Sequence, residues 1–261
     1  MTSPKKNQEN KTQENETQKN RIWIEADWPT PKHIRAGTTL RTGGHSQQPY
    51  DELNLALHVN DNPEDVKKNR STLIENLHLQ SEPVWLNQIH SSKIICINNA
   101  PENLEADASY TTEKNKVCSV MTADCVPVLF CNQEGTKVAA VHAGWRGICG
   151  GIVENSIKTL ASAESLLAWI GPCISANHYE VGKEVYESCT NHSTLLEKAF
   201  EQRDENHWSC DLVKIINILL KNCGVGSIYE CNLCTYEKPD LFFSYRRDGD
   251  TGRTASMIWM E

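Results

Sequence analysis

The sequence predicts a mixed α/β (α+β) fold, with a mixed β-sheet core and flanking helices. Short runs rich in Val and Ile are interspersed with segments whose apolar residues recur at helical spacing. Apolar residues make up 39% of the 261, enough to bury a substantial core. Strands and helices do not alternate regularly, which favours a mixed sheet over a parallel one.

Taken in order, residues 1–20 are almost all Lys, Asn, Gln, Glu, Thr and Ser. They cannot bury enough apolar area to offset their ordering entropy, so a disordered polar tail is expected. From Arg21 the composition is globular, with no linker-like tract and no internal repeat, which predicts one domain over 21–261. A helix is expected over 63–77, capped by Asn62, with Pro63 in its first turn and Val66, Leu73, Ile74 and Leu77 near one face. Residues 84–98 read as extended, as do 117–130, where Asp124 and Pro127 interrupt the run. A short buried strand over 137–141 runs into the Gly-rich HAGWRGICGG and a helix over 152–163. Residues 168–170 are extended again. A helix over 211–223 carries Leu212, Ile215, Ile216, Leu219 and Leu220 and ends at Gly224. Strands follow over 227–234 and 254–260.

The formal net charge of −8 argues against bulk attraction to nucleic acid or anionic lipid. No stretch approaches the roughly 18 apolar residues of a membrane span, and the N-terminus has no apolar signal core. A cytoplasmic protein is expected, and its eleven cysteines are then reduced thiols. Cys231 and Cys234 form a lone CxxC with no second pair, better read as half-buried cysteines near a strand end than as a zinc or redox motif.

Three residues stand out chemically. His90, Cys125 and His142 each sit at or near the end of an apolar run, where side chains can face a cleft. Two imidazoles and a thiolate suit zinc, and three protein ligands leave a position open, as catalytic sites do. Against this, a strand-end His is often only hydrogen-bonded, and a Cys in such surroundings is often only core. Arg146 lies in the Gly-rich turn before a helix, a place that attracts anions. Arg41, Arg246, Arg247 and Arg253 lie beside glycines and form either a local anion site or a solvated, charge-paired loop.

At these residues the chain resembles the bacterial YfiH/YlmD-type family, formerly called polyphenol oxidase or laccase-domain proteins, which has a mammalian laccase-domain relative. The matching segments are LRTGGHS, YDELNLALHVNDNPEDVKKNR, LNQIHSS, TADCVPVLF, AAVHAGWRG, GPCISANHYEVG and CTYEKPDLFFSYRRDGDTGRTASMIW, in order from about Thr39 to Trp259. The resemblance implies a single YfiH-like α/β domain and a zinc (Zn2+) site at His90, Cys125 and His142, with copper (Cu2+) as an alternative occupant. It aligns Arg41, Arg146, Arg246, Arg247 and Arg253 with the family's arginines. The implied activity is phosphorolysis of adenosine, inosine, guanosine and S-methyl-5′-thioadenosine, plus deamination of adenosine to inosine. The implied partners are purine nucleosides and phosphate, with no obligate protein partner. Cys125 and His142 then count as catalytic, and Asp124 as a general acid–base or a partner of the metal ligands, although in a regular strand it faces away from them.

Two other enzyme classes compete. Multicopper oxidation needs about ten histidines in paired patterns, whereas this chain has nine and no His-x-His; one copper for phenol oxidation stays open. Without a metal, Cys125 activated by His142 would make a thiol hydrolase, or an amidase editing peptidoglycan precursors. A metal-dependent binding or redox-sensing protein is the non-enzyme alternative.

Overall fold

Thirteen strands and six α-helices arise from residues 21–99, 102–160 and 162–261, which the structure, a computed structural model, describes. The tail expected over 1–20 lies outside the described residues. The strands are β1 (Trp23–Glu25), β2 (Ile34–Thr39), β3 (Ile94–Cys96), β4 (Ala108–Thr111), β5 (Cys118–Thr122), β6 (Val126–Asn132) and β7 (Val138–Ala143). They continue as β8 (Leu166–Ile170), β9 (Glu180–Gly182), β10 (Phe200–Gln202), β11 (His207–Cys210), β12 (Ser227–Glu230) and β13 (Thr254–Met260). The helices are α1 (Pro63–Asn76), α2 (Trp145–Cys149), α3 (Ile152–Leu160), α4 (Lys183–His192), α5 (Leu212–Asn222) and α6 (Tyr245–Asp248).

Every residue of β6 and of β7 is buried, so both faces of their sheet must be covered. They pair antiparallel at the centre of a six-stranded sheet ordered β12-β8-β6-β7-β4-β3. The β12–β8 and β4–β3 pairs are parallel and the rest antiparallel, which makes the sheet mixed, as expected. Side chains alternate across it. Val128, Phe130 and Val141 face a helical layer of α3 and α5, represented by Val153, Ile157, Ile216 and Leu219. Leu129, Cys131 and Trp169 face the other way, onto Val120, Ile258 and Met260 of an antiparallel four-stranded sheet ordered β1-β2-β13-β5. The outer side of that second sheet, with Trp23, Met257 and Trp259, is covered by Leu73 of α1. The layers therefore run helix, sheet, sheet, helix. A small antiparallel sheet, β10-β11-β9, adds Val181 and Cys210 to the core on the helical side.

The expected cap forms at Asn62, whose Oδ1 accepts from Glu64 N at 3.0 Å, and Asp211 caps a second helix, its Oδ1 accepting from Lys214 N at 2.9 Å. Two expectations need correction. Residues 84–98 are mostly loop, with isolated bridges at Val84 and Asn87 and a strand only at Ile94–Cys96. The cause is His90, whose φ of 58° cannot continue a strand. Pro127 does not break its run; it is the second residue of β6, just before pairing with β8 begins, a place that tolerates a missing N–H. Cys231 is half-buried and Cys234 buried, just past β12, in line with the plain reading of the CxxC. No helix among the described residues is long and apolar enough to cross a membrane.

Buried Asn69 of α1 ties this framework to the functional region. Its amide nitrogen lies 2.8 Å from both Ser46 Oγ and Asn54 O, and its oxygen accepts from His45 N at 2.7 Å. Asn54 in turn accepts from Arg253 N at 2.9 Å. Asn69→Ala strands these buried groups, at a cost of about 2–4 kcal/mol. A melting temperature lower by roughly 5–10 °C in calorimetry is the expected outcome.

Candidate metal centre

Asp107 is fully buried just before β4, and β4 pairs with β7. Its Oδ1 lies 2.8 Å from His142 Nδ1, and its backbone oxygen accepts from His142 N at 2.7 Å. The same carboxylate accepts from His90 N at 3.0 Å, Ser91 N at 2.6 Å and Ser91 Oγ at 2.8 Å, with Ile89 N at 3.3 Å. Three successive N–H groups thus converge on one anion, which bends the chain through the left-handed His90. Burial alone would raise the Asp107 pKa, but the donors from His142 and Ser91 outweigh it and hold it at about 2. This interaction contributes its stability in full above the ordinary carboxylate range and loses it as pH falls through about 2.

Cys125 enters from the turn between β5 and β6, after Asp124 at φ 101°. Burial disfavours its thiolate, but the imidazoles of His142 and His90 prevail and bring the thiol down to about 6. His142 is likewise opposed by burial and lifted by Cys125 and Asp107, to about 9. These two shifts favour a Cys125 thiolate facing a His142 imidazolium. The His142 contribution is complete below the ordinary imidazole value and lost as pH rises through about 9; the Cys125 contribution is complete above the ordinary thiol value and lost as pH falls through about 6.

The ligand atoms of His90, Cys125 and His142 all lie within 4.8 Å of one another, the one such His/Cys/Asp/Glu cluster among the described residues. Two imidazole nitrogens and a thiolate suit zinc, and also copper. The fit is supported by Gly144, the N-cap of α2. A Cβ there would lie 2.9 Å from His90 Cδ2 and 3.1 Å from Cys125 Sγ, so the cradle admits no side chain. Asp107 fixes His142 with Nδ1 turned away, leaving Nε2 for an ion.

The three residues open onto a cleft of about 350 Å³, also lined by His58, Gln88, Tyr245 and Arg253. Gln88 is pinned to β5, donating to Met121 O and accepting from Met121 N, both at 2.8 Å. Of the five expected arginines, Arg253 lines this cleft. Arg41 is committed elsewhere: it donates to Asp51 O and Pro239 O and lies 4.8 Å over Phe243. Arg247 donates to Thr235 O, Tyr236 O and Phe242 O and pairs with Asp248. Those two arginines hold loops in place through these bonds. Arg246 donates to Glu180 O at 2.8 Å, and exposed Arg146 rests 4.2 Å over Trp145. Asp124 accepts from Thr235 Oγ1 at its Oδ1 and from Arg246 N at its Oδ2, both at 2.7 Å. These bonds tie the turn before Cys125 to the C-terminal segment.

Sequence reasoning missed Asp107, Gln88 and His58. A lone Asp among small residues in EADASY was the one signal for Asp107.

A family model described as multi-copper polyphenol oxidoreductase laccase matches residues 35–261. Purine nucleoside phosphorylase YfiH of Shigella flexneri is 45% identical over 239 residues, covering 91% of this chain and 98% of the relative. The solved structure of Neisseria meningitidis NMB0706 matches with a TM-score of 0.88 and 43% identity, over 92% of this chain and all of that one. The structure of YlmD from Geobacillus stearothermophilus matches with a TM-score of 0.84 and 31% identity, over 92% of this chain and 97% of that one. The chain belongs to the YfiH/YlmD family. Membership bears out the resemblance and the mixed α/β class.

Asp107→Asn replaces the acceptor that orients His142 and gathers the 89–91 turn. Metal retention against a competing chelator is expected to fall by roughly 10–100-fold. Gly144→Ala should weaken retention in the same assay with unchanged far-UV circular dichroism, because its backbone, at φ −76°, accepts an alanine and only the cradle is blocked.

Proposed function

We propose that residues 21–261 form a zinc-dependent purine nucleoside enzyme. The reading comprises phosphorolysis of adenosine, inosine, guanosine and S-methyl-5′-thioadenosine, and deamination of adenosine to inosine. The observation that carries it is the His90–Cys125–His142 cluster opening onto a cleft that also contains Arg253. Relatives named purine nucleoside phosphorylase, covering nearly their whole length, support the substrate class.

A bound zinc supplies a Lewis acid at the three ligands. Asp107 keeps His142 in the tautomer that presents Nε2 inward. Arg253 offers a fixed cation to the phosphate; its own guanidinium donates to Thr251 O and Gly252 O, which sets its direction. His58, exposed at the cleft, is pushed below the ordinary imidazole value by partial desolvation and by the charges of Arg253 and Arg70. The shift favours its neutral form, which would offer a hydrogen-bond acceptor to a substrate hydroxyl at the cleft.

The low thiol pKa of Cys125 favours a second reading, a thiol hydrolase or amidase on peptidoglycan precursors. A chelator spares that enzyme and a thiol-alkylating reagent kills it; the opposite pattern supports the metal reading. Copper-dependent phenol oxidation is less well supported, since multicopper chemistry needs several centres and one cluster forms among the described residues.

The test is incubation of the zinc-loaded protein with adenosine, with and without phosphate, followed by separation of products. Phosphate-dependent adenine and phosphate-independent inosine are expected; neither product sinks the proposal. His142→Ala should fold and lose both reactions, because two remaining ligands hold zinc poorly. Arg253→Ala should raise the KM for phosphate by roughly 10-fold or more, the effect of one charge-assisted contact. An unchanged KM removes Arg253 from the phosphate site.

A further inference from the structure

Cys149 and Cys189 bring their Sγ atoms to 3.2 Å across the contact between α2 and α4. We propose that they are a reversible dithiol–disulfide pair, oxidised by hydrogen peroxide, with Cys149 the attacking thiol and Cys189 the resolving one. This does not depend on the nucleoside reading.

The two thiols differ in ways that set these roles. Cys149 ends the short α2 and is half-buried, open to a small oxidant, whereas Cys189 is fully buried within α4. The hydrogen bond from Cys189 makes the Cys149 thiol more acidic than usual, while its partner is pushed far upward. A disulfide needs about 2.05 Å between sulfurs, so roughly 1 Å of approach closes the bond. That lies within the reach of side-chain rotation at the end of a five-residue helix.

The chemistry balances in two steps. The Cys149 thiolate attacks one peroxide oxygen, the O–O bond breaks, hydroxide leaves, and Cys149 becomes a sulfenic acid. Cys189 sulfur then attacks Cys149 sulfur, forming S–S and breaking S–O. The Cys189 proton and the departing hydroxyl leave as water. Two thiols have lost two electrons and the peroxide has become two waters. A dithiol reductant reverses the process. The bond would tie the far end of the turn that begins at Gly144, beside Cys125 and His90, to α4.

The full-length, zinc-loaded protein is treated with a small excess of hydrogen peroxide, alkylated, digested and mapped by mass spectrometry. Loss of two free thiols, a Cys149–Cys189 cross-linked peptide and recovery of both thiols in dithiothreitol are expected. Cys189→Ala should trap Cys149 as a sulfenic acid that dimedone labels. Cys149→Ser, at a half-buried position, should fold even if the buried variant does not, and should yield no Cys189 cross-link. Full alkylation of both residues after peroxide treatment, or a Cys189 bond to buried Cys210 instead, overturns the proposal.

Discussion

One buried carboxylate organises the functional end of this molecule. Asp107 gathers a ring nitrogen, a hydroxyl and successive backbone N–H groups at a position without solvent. A buried charge is costly unless it is hydrogen-bonded, so these donors are obligatory partners. Satisfying them fixes three things together: the orientation of His142, the left-handed turn that brings the His90 ring to His142 and Cys125, and the close approach of the 89–91 loop to the β4–β7 pair. The two imidazoles that face the thiolate are therefore held by the same anion.

The layers explain why the site lies where it does. β7 is buried along its whole length and ends as Ala143 gives way to Gly144, so His142 is the last ligand-bearing residue before the chain turns into α2. The neighbouring strand ends supply the rest. Asp124 and His90 both adopt positive φ, a conformation that costs non-glycine residues on the order of 1–3 kcal/mol. Each is held there by side-chain carboxylate bonds: Asp124 by its own to Thr235 and Arg246, His90 by that of Asp107. Local strain at the cleft is thus balanced by hydrogen bonds formed within it.

Much of this was legible in the sequence, for identifiable reasons. Periodicity and caps located α1 and α5, because Val66, Leu73, Ile215 and Leu219 bury one face and Asn62 and Asp211 begin the helices. The apolar run over 137–141 signalled the buried strand β7, and the run over 117–130 the extended course of β5 and β6. His90, Cys125 and His142 were found from ligand chemistry and resemblance, and the structure brings them together. What escaped was set by tertiary contacts. No local pattern says that Arg41 and Arg247 face main-chain carbonyls, or that the 84–98 run yields to the pull of Asp107. The 180–210 region also lacked a signal, since β9, β10 and β11 are each three or four residues long and partly exposed.

The placement of β13 has a consequence for how the protein is made. It lies between β2 and β5, buried at all seven residues, and pairs with both. A ribosome that has synthesised both flanking strands has still not made the one that joins them. Until β13 emerges, their inner edges and the apolar surface beneath stay open to solvent and to other chains. Arg253 immediately precedes this strand, so the cleft is finished at the same moment as the sheet. Closure of the sheet thus depends on a strand that lies far along the chain from both of its neighbours.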